Sequence, residues 1–386
     1  MSTDKSVTPE APGRSRVHPF FRADVVGSLL RPPAIHAARE QWQKGQMNLE
    51  ALRDVETQGV REAVAMQKAV GLGVCTDGEF HRRHWFLDFI ERIDGVTIKG
   101  TMPAKFHGAT GEADWAPPRI EVHGRLGRSK PLAVQDFESL LPIARGAGLL
   151  AKQPIPSPTI LHFRGGRAAI SAAAYPDLGE FFSDLAKTYR AEIDALYATG
   201  CRYVQIDETN YAFLCDPALR QQVVALGENP DTLPRTYADL LNNMLSDRPA
   251  DMTVAMHICR GNHASNWLAD GAYDPVAEVL FGGINVDSLF VEYDSPRAGS
   301  FAPLRYLSKG KLAVLGLVTS KTPQLEKKEE LRRRIDEAAK FAPLEQLALS
   351  TQCGFASTII GNRVTADDQR RKLELVVGTA RDVWGD

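Results

Sequence analysis

Three observations predict a (β/α)8 barrel: eight near-continuous apolar segments of strand length, helical patterns between them, and polar or glycine residues closing nearly every segment. In chain order the segments begin with ADVVGS (23–28), GVCTDGE (73–79), PSPTIL (156–161) and YVQIDE (203–208). They continue with TVAMHIC (253–259), SLFVEY (288–293), LAVLGLV (312–318) and LALSTQCG (347–354). The clearest intervening helix is 179–200, with apolar residues at helical spacing and a terminal glycine. A second spans 322–341, with Pro323 near its start and a heavily charged, solvated outer face. Residues 94–127 fit neither helix nor barrel strand and read as a β-hairpin insertion over the barrel mouth. An open doubly wound sheet has the same periodicity, because pattern alone does not distinguish closure. Residues 1–17 are polar and proline-bearing and read as a flexible N-terminal arm, leaving 18–386 as one barrel domain.

Bulk properties narrow the function classes. A net charge of −2 gives no reason to expect nucleic acid or an anionic membrane as partner. No apolar run reaches the ~18 residues of a spanning helix, and the first residues lack the apolar centre of a signal peptide, so a cytoplasmic protein is expected. Five scattered cysteines make no disulfide framework. Taken singly, each reads as a small core hydrophobe or a ligand, and Cys75, Cys201 and Cys215 are assigned to packing.

Barrel enzymes hold their chemistry at the C-terminal ends of the strands. Those ends are loaded here: Asp77 and Glu79, Asp207 and Glu208, His257 and Cys259, Glu292 and Asp294, and Cys353. Residues two apart on a strand share a face, so His257 and Cys259 can point together into the mouth. His257, Cys259, Glu292 and Cys353 together make a sensible tetrahedral set for Zn2+. The HxC pair alone is a weak signal.

The segments HICRGN, LFVEYDS and LSTQCGFAS resemble the zinc-binding segments of the cobalamin-independent methionine synthase family, in its catalytic C-terminal barrel. ADVVGSLLRP, CTDGEFHRRHWFLDF and YVQIDETNYAFL resemble that family's other barrel-mouth motifs, in the same order across roughly residues 18–380. The resemblance implies zinc ligands His257, Cys259, Glu292 and Cys353. It implies that Asp207 and Glu79 hold the amino group of an amino-acid thiol, and that Val26 and Ser28 belong to the loop taking its carboxylate. The implied activity is that of a zinc-dependent thiol S-methyltransferase, like the 5-methyltetrahydropteroyltriglutamate–homocysteine methyltransferases. Its partners are then a small-molecule thiol, most simply homocysteine, and an alkyl donor; a homo-oligomer is compatible with the sequence.

Two departures leave the donor open. The full-length synthases carry a second, N-terminal barrel, for which this chain has no counterpart. The family's proton-donating histidine follows the seventh strand, where GLVTSKTP places Val318 instead. His162 and His263 are substitutes for it, and Phe163 falls where a pterin-stacking tryptophan is expected. Epoxyalkane:coenzyme M transferase chemistry is the alternative, with a sulfonate held by cations such as Arg22, Arg82, Arg83, Arg164 or Arg167. A non-catalytic zinc- or thiol-binding module is a further one. His81 and His84, placed at a helix start, fit either substrate contact or a surface pair.

Overall fold

A computed structural model describes residues 21–101, 104–108 and 113–385; the arm expected at 1–17 lies outside them. The eight expected strands are present as a parallel barrel wall. They are β1 (Ala23–Asp24), β2 (Val74–Cys75), β3 (Leu150–Ala151, resuming after Lys152 as Gln153–Pro156) and β4 (Tyr203–Glu208). Next come β5 (Thr253–Ile258), β6 (Ser288–Glu292), β7 (Leu312–Val318) and β8 (Leu347–Thr351). A seven-stranded sheet runs β1-β8-β7-β6-β5-β4-β3, and β2 pairs with the first part of β3. Between β1 and β2 the circuit is completed by single bonds: Thr76 Oγ1 donates to the Gly27 carbonyl at 2.6 Å, and the Leu29 amide to the Gly78 carbonyl at 3.1 Å.

One strand is misplaced by the sequence reading. The third was expected at 156–161, whereas β3 ends at Pro156 and Ile160–Phe163 is a helical turn. The cause is Lys152, which interrupts the apolar run yet is fully buried inside the barrel. Its ammonium donates to Asp24 Oδ1 at 2.8 Å and Gln205 Oε1 at 3.0 Å, and lies over the Phe290 ring. Around it sits a small interior core that includes Val26, Tyr203, Ala255, Phe290 and Val314. The larger core lies between strands and outer helices.

The helix expected at 179–200 is α1 (Leu178–Thr199), begun by the Asp177 side chain on the Gly179 amide and ended by left-handed Gly200. The helix expected at 322–341 is shorter, α2 (Lys328–Ala338). After β5 and β6 the chain makes short turns such as Asp274–Val276 and Ala302–Tyr306 in place of full helices, consistent with the prolines they contain. The insertion is a hairpin as expected. Asp94–Thr101 pairs antiparallel with Pro118–Gly127, and Ala104–Phe106 with Ala113–Trp115. Through His107 the insertion reaches the loop after β5, bridging to Trp267. Among the described residues no helix is long and apolar enough to cross a membrane, and all five cysteines are free and buried.

Candidate metal centre and adjoining clefts

Parallel register does most of the assembly. Asp207 on β4 is the direct neighbour of His257 on β5, and His257 of Phe290 on β6. Neighbouring residues in a parallel ladder face the same side, so Asp207 and His257 both enter the mouth. Two residues on, Cys259 follows His257, its amide donating to the Glu208 carbonyl at 2.7 Å. Glu292 closes β6, and Cys353 lies two residues past β8, its carbonyl accepting from Thr351 Oγ1 at 2.9 Å.

Ligand atoms of His257, Cys259, Glu292 and Cys353 lie within 4.8 Å of one another, and all four residues are buried. The two sulfurs are 3.7 Å apart. Two bonds of ~2.3 Å at a tetrahedral angle put sulfurs roughly 3.8 Å apart, so this edge already has the length a metal ion would impose. His257 Nε2 stands 4.0 Å from Glu292 Oε1. Neither ring nitrogen of His257 has a hydrogen-bond partner although the side chain is buried. An unsatisfied buried polar group costs about 1–3 kcal/mol, a penalty that a metal–nitrogen bond removes. The residues fit a metal ion.

The electrostatics agree with that fit. The hydrogen bond from Cys259 holds the Cys353 thiol well below its ordinary range, and the same bond drives Cys259 well above its own. Burial pushes Glu292 up. Burial works against a charged His257, but Cys353, Glu292 and Asp207 together outweigh it and raise the imidazole. The Arg260 amide donates to Glu292 Oε1 at 3.0 Å and Arg297 approaches Oε2 at 3.4 Å, fixing the carboxylate. Asp294 is engaged elsewhere, with Arg297 at 2.6 Å.

A small cleft of about 420 Å³ opens directly onto this cluster. Its wall includes His257, Cys259 and Cys353 together with Val26, Ser28, Glu79 and Asp207. Each is held by its own contacts. Gln205 Nε2 donates to Asp207 Oδ1 at 2.7 Å. Ser28 is pinned against the loop bearing Cys353: its carbonyl accepts from the Phe355 amide at 2.8 Å and its hydroxyl from the Ala356 amide at 3.3 Å. A β-carbon on Gly354 would fall 2.0 Å from Ser28 Oγ, so only glycine permits this approach. Glu79 takes a left-handed backbone (φ 61°), uncommon outside glycine and a mark of sites with a task. Burial lifts its carboxyl to about 8, against the pull of Arg82.

Other sequence candidates fall outside this cleft. Glu208 accepts from Thr159 Oγ1 at 2.6 Å and from the Asn210 amide, and so shapes the loop beneath it. Asp77 supports the Glu79 turn, accepting from the Glu79 amide at 2.8 Å and lying 3.4 Å from His81 Nδ1. His81 and His84 precede the helical turn Leu87–Ile90 instead of starting it, and both are buried. His162 turns away to Tyr237, 2.9 Å from its hydroxyl, and to Glu228 at 3.3 Å. His263 packs near Phe106. Val318 is buried in β7 and lines neither this cleft nor the larger one beside it.

Of the five arginines, Arg22 binds the Leu347 carbonyl at the start of β8, away from the mouth, and Arg83 pairs with Asp88 and Glu91. Arg167 donates to the Ile170 and Tyr175 carbonyls, and Arg82 lies between Glu79 and Asp136. Only Arg164 lines a cleft, the larger one, together with Phe163. Trp85, Thr209 and Asn262 line both clefts; all three lie inside the motifs CTDGEFHRRHWFLDF, YVQIDETNYAFL and HICRGN, yet nothing in the sequence reading singles them out as site residues.

The catalytic-domain profile of the cobalamin-independent synthases matches residues 21–380. The chain belongs to this family. It is 44% identical to the uncharacterized protein YxjH of Bacillus subtilis over the full length of both chains. The crystal structure of a putative vitamin-B12 independent methionine synthase from Listeria monocytogenes superposes with a TM-score of 0.75. It has 37% identity, covering 95% of this chain and 98% of that one. The methionine synthase of Pyrococcus furiosus aligns at 24% identity over 87% of this chain and 86% of its own. The barrel expectation and the cobalamin-independent synthase resemblance both hold.

Proposed function

We propose that this cobalamin-independent synthase homologue is a zinc-dependent S-methyltransferase whose acceptor is homocysteine, carried by a barrel domain spanning 18–386. The observation carrying this reading is that a single cleft wall presents metal-binding cysteines and histidine together with two carboxylates. That wall complements a molecule with a thiol at one end and an ammonium at the other. His257, Cys259, Glu292 and Cys353 hold the zinc ion, which when bound supplies a thiolate at neutral pH from a thiol of ordinary pKa near 8.5. Asp207, tied by Gln205, and Glu79 receive the amino group. Ser28 and the Val26 backbone loop face the carboxylate. Burial, which lifts Glu79 to about 8, leaves its carboxyl mostly protonated in the free protein at neutral pH, and a docked ammonium favours release of that proton to solvent.

Coenzyme M as acceptor is disfavoured by the wall, because a sulfonate calls for cations and none of the five arginines lines the small cleft. The thiol ligands suit a reducing, cytoplasmic setting. Metal analysis of wild type and Cys353→Ser tests the site: zinc near one per chain should fall several-fold in the variant. Unchanged zinc content would sink the four-ligand centre. Methionine formation from homocysteine separates an enzyme from a mere metal-holding module.

A further inference from the structure

The small cleft continues into a larger one of about 890 Å³, and the two share Trp85, Thr209, Gly261 and Asn262. Whatever delivers the methyl group to the acceptor sulfur can approach through this second space. Its wall is unlike that of the first. Four rings, Trp85, Phe106, Phe163 and Phe213, stand around it, and among the described residues no aspartate, glutamate, histidine, lysine, cysteine or tyrosine lines it. The Lys321 ammonium is held behind Asn262, donating to its Oδ1 at 3.2 Å. One charged group faces the space, Arg164, whose guanidinium stacks on Phe86 at 4.5 Å. Its Nη1 is buried without a hydrogen-bond partner. Burial lowers this guanidinium to about 10, so it stays cationic at neutral pH.

Each feature restricts the donor. A leaving group that departs as an amide or alkoxide anion needs a proton, and this wall has no ordinary acid to give one. A group that departs neutral needs none. Aromatic faces attract a cation within about 6 Å, with roughly 2 kcal/mol or more when it is desolvated. A guanidinium whose Nη1 is left without a partner calls for an anion, best a carboxylate or similar oxyanion. A donor meeting all three is a zwitterion: an onium methyl at one end and a carboxylate at the other.

We propose that the larger cleft takes a carboxylate-bearing sulfonium as methyl donor, its carboxylate on Arg164 and its methylsulfonium among the four rings. This rests on the thiol-methylation reading above and names its second substrate. The acceptor thiolate's electron pair forms the new S–CH3 bond while the methyl–sulfur bond of the donor breaks. That bond's pair stays on the donor sulfur, cancelling its positive charge, and a thioether leaves that is neutral at sulfur and keeps its carboxylate charge. No proton is transferred. A quaternary ammonium carboxylate would suit the same wall, but a tertiary amine is the poorer leaving group.

The test uses the full zinc-loaded chain and begins with X-ray absorption at the zinc edge. An added sulfur ligand on homocysteine addition is expected; its absence overturns the acceptor reading, independently of the donor. Methionine formation is then measured with dimethylsulfoniopropionate, trimethylsulfonium, glycine betaine, 5-methyltetrahydrofolate and methylcobalamin. Dimethylsulfoniopropionate should be the best donor, with kcat/KM roughly 10- to 100-fold above trimethylsulfonium, the range of one charge-assisted contact. Arg164→Leu should collapse that ratio towards one. Calorimetry without homocysteine gives a readout apart from turnover: the Kd for dimethylsulfoniopropionate should weaken roughly tenfold or more in Arg164→Leu. Phe213→Ala, which leaves Arg164 in place, should weaken it as well. Turnover of folate or methylcobalamin with sulfoniums inert, betaine outperforming the sulfonium, or an unchanged ratio in Arg164→Leu would each overturn the proposal.

Discussion

Glu79→Gln should stabilise the free protein at alkaline pH while impairing its use of homocysteine. The carboxyl is 3% exposed, and burial raises it from 4.5 to about 8 even with Arg82 Nη1 3.8 Å away. A folded-state pKa above the unfolded one means that the native protein holds this proton more tightly. Between about 4.5 and 8, therefore, native Glu79 stays protonated while the unfolded chain has lost the proton, and stability falls as pH rises. At 1.36 kcal/mol per pH unit the full loss is about 5 kcal/mol, complete above pH 8. Glutamine imitates the protonated carboxyl and does not titrate, so the variant should match wild type near pH 4.5 and exceed it by a few kcal/mol at pH 9. Urea denaturation of both proteins at pH 5, 7 and 9, without homocysteine, measures the gap. Titrations of groups remote from Glu79 cancel in the difference, whereas that of the nearby Asp207 contributes to it. A gap that does not widen between pH 5 and 9 would refute the buried-carboxyl reasoning. The same variant should bind homocysteine about tenfold or more weakly, since it lacks one charge partner for the ammonium.

Gln205→Leu removes the 2.7 Å donor that orients Asp207, and KM for homocysteine should rise by roughly tenfold with a smaller change in kcat. Gly354→Ala places a β-carbon 2.0 Å from Ser28 Oγ, so Ser28 or the Cys353 loop must move. Homocysteine affinity and zinc retention should both drop, as calorimetry and metal analysis would report. His162→Ala should destabilise by roughly 2–4 kcal/mol through its lost contacts to Tyr237 and Glu228, yet leave kcat within about twofold. A kcat loss much larger than that would put His162 back in the chemistry.

The metal cluster was legible because strand periodicity writes it out. His257 and Cys259 are two apart, Glu292 and Cys353 close later segments of the same kind, and parallel register does the rest. Lys152 defeated the same logic in β3. Period-2 reading treats a charged residue as facing outward, whereas Asp24 and Gln205 satisfy this one at the centre of the barrel. The arginines failed for a related reason: five cations look alike in a string, and only tertiary placement separates the far-end Arg22 from the cleft-lining Arg164.

The two halves of the reaction therefore differ in how they are encoded. The acceptor side stands on strand ends, where spacing and face are set by the ladder. The larger cleft is assembled from Trp85 after β2, Phe106 on the hairpin, Phe163 after β3 and Phe213 after β4. No period links those positions; only Phe163 is marked in the sequence, as the place of a stacking ring, and nothing in the string shows that the four meet. Loops can exchange such rings without disturbing the barrel that holds the metal ligands. Donor preference can thus change while thiol activation persists. Knowing from sequence which residues gather at the strand ends therefore says little about what brings the methyl group.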